Sequence, residues 1–298
     1  MRVRKDIEFK TEDGTTLRGW HYAPSFGDGR FPTIVMAHGF SAVKELLLDR
    51  FAEAFVAAGF AAVVYDHRNL GASDGLPRQH IDPWQQVRDW RDAITYAETL
   101  PQTDAQRIGV WGSSYAGAHA MVLGAQDRRV RCVVAQVPLT SGHANFRRLV
   151  RADQIVVMQR AFDEDRRRRS RGEPAQLIPV VAPEGQPSAL PTPDSYSWMT
   201  SRAKEHAPSW RNEVTLQSAE LFSEYEPGAY VEFVSPTPLL MVVALDDELA
   251  VADEALKTYA KALEPKRLEG IRCGHFDVYD QYFSRSSGAA VSWFIEHL

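Results

Sequence analysis

Apolar residues in this chain alternate between two spacings. Thr33–Ala37, Ala61–Tyr65, Ile108–Trp111 and Val130–Val137 are short continuous apolar runs, the pattern of strands covered on both faces. Between them, Leu47, Leu48, Phe51, Ala54, Phe55 and Ala58 recur at helical spacing until Gly59 stops the run, and Val87, Trp90, Ile94 and Ala97 form a second stripe. Asp82-Pro83-Trp84-Gln85 opens that second helix: Asp82 caps, Pro83 fits the first turn, and Gln85 is spaced to reach back as a capping box. Upstream, Ile7–Thr11 and Thr15–Tyr22 flank Glu12-Asp13-Gly14, which predicts a hairpin. A hairpin followed by alternating strands and helices predicts an α/β protein with a mostly parallel sheet flanked by helices.

The alternation breaks from Leu139 to about Ser235. This stretch holds the charge run Asp163–Arg169, a proline-rich part from Pro174 to Pro193, and mixed polar and aromatic residues from Tyr196 to Tyr230. The earlier pattern then resumes, with strands at Pro238–Ala244 and Arg267–Ile271 and helices at Ala250–Leu263 and Gly288–Leu298. The expected organisation is a core from residues 1–138 and 236–298 with an inserted lid or cap over 139–235. The arginines of the charge run read as a solvated face interleaved with acids rather than as a phosphate site. Phe146, Tyr196, Trp198, Trp210 and Phe222 of the insertion could line an apolar pocket or pack its own core.

One junction concentrates the chemistry. The strand Ile108–Trp111 runs into Gly112-Ser113-Ser114-Tyr115-Ala116-Gly117, and an alanine-rich helix, Ala116–Ala125, comes directly after. A serine on so sharp a strand-to-helix turn is forced into strained backbone angles, needs small neighbours, and stands clear with the first helical N–H groups around it. This is a nucleophile elbow, the signature of a serine hydrolase or acyltransferase of the α/β-hydrolase fold. Gly71-Ala72-Ser73-Asp74-Gly75 matches G-x-S-x-G more literally, but Pro77 and Pro83 come after it and no helix can start there, so Ser73 reads as loop.

A serine hydroxyl needs a base, and the base needs an acid to hold its tautomer. In this fold the order is Ser, acid, His, each after a later strand. Of the nine histidines, His275 lies in the loop after the last predicted strand, in Cys273-Gly274-His275-Phe276. Asp246, Asp247 and Glu248 all come after the strand before it, and spacing alone does not separate them. Asp247 is favoured where the loop turns back toward the elbow, with Asp246 the alternative. Oxyanion donors are expected from the backbone N–H of Tyr115 and, across His38-Gly39-Phe40, from that of Phe40. His38 is expected to shape this loop rather than react.

Composition narrows the picture little further. The 298 residues are 44% hydrophobic and 24% charged with a net charge of −5, which suits a globular protein and argues against nucleic acid as a partner. The N-terminal Met1-Arg2-Val3-Arg4-Lys5-Asp6 lacks a signal-peptide apolar run, and no stretch is long enough to span a membrane, so a cytoplasmic protein is expected. Cys132 and Cys273 are expected as reduced thiols.

Three blocks carry a resemblance. Met36–Glu45, Tyr65–Gly75 and Ile81–Gln86 resemble the small α/β-hydrolases known as polyketide transferases and thiohydrolases. The Gly112–Gly117 elbow looks like that of the cocaine esterase and X-prolyl peptidase group. The likeness is strong over residues 5–140 and looser over 236–298. It implies acyl-ester or thioester chemistry on a small-molecule substrate with Ser114, an Asp and His275, no cofactor and no metal; a homo-oligomer is left open. The D-x-L-V-P acid loop of the superfamily resembles Asp247 followed by Leu249-Ala250-Val251. The sequence departs from cocaine esterase at Phe40, which offers only a backbone N–H where that enzyme type uses a tyrosine hydroxyl. Hydrolysis leads the expectations. Acyl transfer with the same triad and a non-catalytic binding role are the alternatives.

Overall fold

The computed structural model describes residues 3–25 and 29–298; Met1 and Arg2, part of the stretch read for a signal peptide, lie outside them. The hairpin forms as β1 (Val3–Lys10) and β2 (Thr16–Ala23), antiparallel throughout. After it come β3 (Phe31–Ala37), α1 (Leu48–Ala57), β4 (Ala61–Tyr65), α2 (Pro83–Thr99), β5 (Thr103–Ser113), α3 (Tyr115–Gln126) and β6 (Val130–Gln136). The strands line up as β1-β2-β4-β3-β5-β6 and continue through β9 (Leu239–Ala244) to β10 (Lys266–Ile271). From β4 onward every neighbouring pair is parallel.

The continuous apolar runs occupy the middle of this sheet, with β4 and β9 buried at every residue. Helices cover both faces, as such strands require. α1 packs with the C-terminal α9 (Phe283–His297), and α2 packs with α3, while α8 (Ala252–Lys261) lies against β9. Trp111 on β5 is held between Phe51 and Phe55 of α1, with Phe294 of α9 against Phe55. α2 begins as its sequence predicts, with Asp82 accepting from the N–H groups of Trp84 and Gln85 at 2.9 and 3.1 Å. The capping box does not form. The Gln85 side-chain oxygen accepts from the Arg88 guanidinium at 2.9 and 3.2 Å instead, while its amide N–H donates to the buried Asp89 at 3.1 Å.

Between β6 and β9 lie α4 (Gly142–Leu149), α5 (Ala152–Ser170), the two-residue strands β7 (Leu177–Ile178) and β8 (Val214–Thr215), α6 (Pro193–His206), α7 (Leu216–Glu224) and a 3-10 turn at Pro227–Phe233. The segment leaves and returns through one neck, where Gly142 N–H donates to Tyr225 O and Gly228 N–H to Thr140 O. The arginine run is helical, forming the end of α5, where basic side chains suit the helix dipole. It is only partly a solvated face, since Asp165 is buried, pairs with Arg169 at 2.7 Å and accepts from Gln176 N–H.

A buried carboxylate ties together the loops that flank the future site. Asp66, just after β4, accepts from Lys44 N–H at 2.7 Å, Lys44 Nζ at 2.6 Å and Ala72 N–H at 2.9 Å. The loop after β3 and the loop after β4 thus share one anchor. Removing one partner of a buried ion pair leaves an uncompensated charge and typically costs about 3–5 kcal/mol. Lys44→Ala is therefore expected to lose about 3 kcal/mol in urea unfolding; a loss below about 0.5 kcal/mol, the range of an ordinary surface change, would contradict the anchor.

Candidate active site

The turn between β5 and α3 has the backbone its sequence predicts. Ser114 sits at φ 59° and ψ −120°, a strained region for any residue with a side chain. Gly112 permits it: a Cβ there would lie 2.1 Å from Ala116 O. Ser114 N–H donates to Gln136 O on β6 at 2.8 Å, fixing the turn to the sheet. The first turn of α3 begins at the next residue, so its N–H groups open beside the hydroxyl.

His275 lies just past β10, and its Nε2 is 3.1 Å from Ser114 Oγ. Its Nδ1 lies 2.6 Å from Asp247 Oδ2, so Nδ1–H donates to the carboxylate and Nε2 is left as an acceptor for the serine. Both His275 and Asp247 are buried. The other carboxylate oxygen, Asp247 Oδ1, accepts from Leu249 and Ala250 N–H at 2.9 Å each. Asp246 and Glu248 are exposed. Ser114, His275 and Asp247, the favoured one of the adjacent acids, are thus brought together across 161 and 28 residues of chain.

The loop after β3 presses against the serine, since a Cβ on Gly39 would meet Ser114 Cβ at 3.0 Å. His38 is buried and shapes this loop. Its Nε2 accepts from His67 N–H at 3.1 Å, so its Nδ1 carries the proton and donates to Gly39 O at 3.0 Å. A trans peptide sets the following N–H opposite its carbonyl, so pinning Gly39 O on one side turns Phe40 N–H to the other. Ser73 is buried in its loop, donating to Asp66 O at 2.6 Å and accepting from Arg18 N–H at 2.9 Å.

Several contributors were hidden from the sequence. Asn145 on α4 donates to Leu249 O at 2.8 Å and accepts from Val251 N–H at 3.2 Å, bracing the loop that carries Asp247. Trp210 donates through Nε1 to Ser41 O at 2.9 Å, and Ser209 bonds Glu45, so the segment between β6 and β9 also grips the Gly39–Phe40 loop. Tyr279 OH meets Ser113 Oγ at 2.5 Å, and Gln136 Nε2 donates to the same oxygen at 3.1 Å. None of these spacings obeys a motif; each joins residues far apart in the chain. Of the five aromatic residues noted in that segment, Trp198 lines the cavity at Ser114, Phe222 stacks on Tyr115, and Tyr196 is exposed.

Behind the site three buried imidazoles lie in a row, His67 at 4.7 Å from His38 and 5.9 Å from His119. Burial lowers the pKa of each, and that of His119 to about 3. His119 is braced by Tyr225 OH and Gln86 Oε1 at 3.0 Å each, whereas neither ring nitrogen of His67 has a partner among the described residues. Burial likewise raises the Cys273 thiol to about 11, and Cys132 well above its usual value; both cysteines are free and buried.

The chain matches the X-Pro dipeptidyl-peptidase (S15) family over residues 13–277. It belongs to that family. It is an enzyme of the serine-hydrolase type, with the α/β-hydrolase fold. It is 34% identical over 283 residues to a thiohydrolase of Eupenicillium brefeldianum, covering 93% of this chain and 89% of that relative. It is 33% identical over 272 residues to a polyketide transferase of Stachybotrys chlorohalonatus, covering 89% of this chain and 87% of the relative. The crystal structure of the α/β-hydrolase GrgF from Penicillium sp. sh18 superposes with a TM-score of 0.86 at 27% identity, over 99% of each chain. No helix among the described residues is long and apolar enough to cross a membrane.

The buried imidazoles and thiols have consequences in solution. Between the lowered pKa of a buried imidazole and its ordinary value near 6.5, the unfolded chain binds more protons, so stability is whole above about pH 6.5 and falls below it by up to about 1.4 kcal/mol per pH unit for each such group. Urea unfolding at pH 5 is expected to give at least about 2 kcal/mol less stability than at pH 7.5; equal values would contradict the neutral buried histidines. Titration with a disulfide reagent at pH 7 is expected to find both thiols inert until denaturant is added. Rapid reaction of native Cys273 would contradict its burial and raised pKa.

Proposed function

We propose that this protein cleaves small carboxylic esters or thioesters through an acyl-enzyme on Ser114, with His275 as the base and Asp247 as the acid. The observation that carries the reading is the pair of contacts at His275, 3.1 Å to Ser114 Oγ and 2.6 Å to Asp247 Oδ2. Ser114 Oγ attacks the acyl carbonyl as His275 Nε2 takes its proton. Asp247 stabilises the imidazolium that forms and stays ionised itself. The tetrahedral oxygen is held by the N–H of Tyr115, at the start of α3, and by the N–H of Phe40, turned by the His38–Gly39 contact. His275 then gives its proton to the leaving thiol or alcohol, and water, activated by the same imidazole, releases the acid.

The segment over 139–235 acts in this scheme as a lid on the core of residues 1–138 and 236–298. Leu190, Trp198 and Met199 from it close over Ser114, facing Leu249, Phe276 and Tyr279 of the core. The cavity between them is mostly apolar and only about 40 Å³. An apolar cover that keeps water out is what acyl transfer to another acceptor would also need, and the likeness to a polyketide transferase favours that second reading.

Ser114→Ala is expected to lower kcat on p-nitrophenyl and thioester substrates by about 10⁶-fold, and Asp247→Asn by about 10⁴-fold. Asp246→Asn is expected to stay within about threefold of wild type, because its carboxylate is exposed and takes no part in the chain of contacts. Full activity in Ser114→Ala, or a larger loss in the Asp246 variant than in the Asp247 variant, would overturn the assignment. The proportions of acid and transferred product with a competing alcohol or amine decide between hydrolysis and transfer.

A further inference from the structure

The cavity at Ser114 has a neighbour. A second apolar space of about 40 Å³ lies inside the 139–235 segment, between Phe146, Met158, Ile178, Ala219 and Phe222. Phe40 lines both spaces. The chain at 188–191 divides them as well, with Leu190 lining the first and Ser188, Ala189 and Pro191 the second. The partition is therefore one aromatic ring beside one stretch of chain.

That ring has no hydrogen bond to break. It stands edge-on to Tyr115 and to Phe222, with centroids 5.4 Å apart in each case. Its backbone N–H serves the reacting carbonyl in the proposed reaction, so a displaced Phe40 ring opens a passage that begins beside the acyl carbon. Pockets that hold small ligands commonly measure about 300–1,000 Å³. Neither cavity alone reaches that size, and together with the space swept by the ring they form one longer apolar channel. Ser188 adds a buried hydroxyl without a partner among the described residues, and an oxygen on a bound chain at that depth would supply one. The other way out of the Ser114 cavity differs in kind. Trp198 and Phe276, stacked at 4.7 Å, separate it from an open pocket of about 370 Å³ that carries Asp194, Ser197, Ser201 and Asp277.

We propose that the Phe40 side chain is a specificity-determining gate: it turns aside to admit the aliphatic end of a medium-chain acyl group into the inner cavity, while the leaving group lies toward the polar pocket past Trp198. The proposal rests on the ester or thioester reading for its chemistry, but the space it invokes can be probed without turnover.

The test compares wild type, Phe40→Ala, Phe40→Leu and Ala219→Phe on p-nitrophenyl butyrate and decanoate. It reads the decanoate-to-butyrate ratio of kcat/KM within each variant, so that a general loss of activity cancels. Each methylene taken into the cavity is worth about fourfold. Removing the ring is expected to raise the ratio about 10-fold, Phe40→Leu less, and filling the inner cavity with Ala219→Phe to lower it about 10-fold. Binding of a fluorescent decanoic acid analogue is measured in parallel in the Ser114→Ala background and is expected to tighten and weaken in the same order. Ratios and affinities that stay within about twofold of the parent in all folded variants would overturn the gate. If the ester reading alone is wrong, neither ester is cleaved by wild type while the binding series keeps this order. If the gate alone is wrong, esters are cleaved through Ser114 with an unmoved ratio and unmoved binding.

Discussion

The site depends on a backbone constraint, the left-handed turn at Ser114. A residue held at φ 59° and ψ −120° stores on the order of 1–3 kcal/mol of strain, and the surrounding sheet has to over-determine it. Three features do so. β5 sits between β3 and β6 in the middle of a parallel sheet, Ser114 N–H is tied to Gln136 O on β6, and α3 starts at the next residue. Parallel strands bring every succeeding loop to the same edge, so the loops after β3, β5, β9 and β10 meet there. The serine, the histidine and the carboxylate come together because of strand order, not because of nearness in sequence.

Below that edge Asp66, His38, His67 and His119 are all buried. Asp66 draws the loops after β3 and β4 to one point, and His38 converts that position into a fixed orientation of the Gly39–Phe40 peptide. Burial keeps the His38 and His119 imidazoles neutral, which makes them directional hydrogen-bonders at neutral pH and a liability in acid. The segment between β6 and β9 adds further braces. Asn145 steadies the Asp247 loop and Trp210 steadies the Gly39–Phe40 loop, each by hydrogen bonds from that segment.

Much of the core was legible from hydrophobic spacing. The runs at Thr33–Ala37, Ala61–Tyr65 and Ile108–Trp111 can be read because both faces of a parallel sheet are buried, which leaves no polar alternation to confuse the period. Ser114 stood out from the more literal match at Ser73 because a helix starts directly after Ser114, whereas prolines bar one after Ser73. The place of His275 beside Ser114 was legible through strand order, whereas strand order left Asp246 open beside the favoured Asp247 as its partner. The features that spacing could not reveal have a common cause. The helices α4 to α7 bury mostly small or polar residues, with α7 packed against α4 and α5, so no clean apolar period marks them. The braces at Asn145, Trp210 and Tyr279 are single long-range contacts with no spacing rule. Gln85 shows the limit of a motif: its side-chain oxygen is taken by Arg88, one turn along the same helix, and not by the N–H of Asp82.

In the proposed reaction Ser114 is the one hydroxyl activated for attack. The most direct measurement is to treat the native protein with a fluorophosphonate, count adducts by intact mass and locate them by peptide mapping. A single adduct on Ser114 is expected. An adduct on Ser73 or Ser113 with Ser114 unmodified, or no adduct on a folded protein that still cleaves esters, would contradict it.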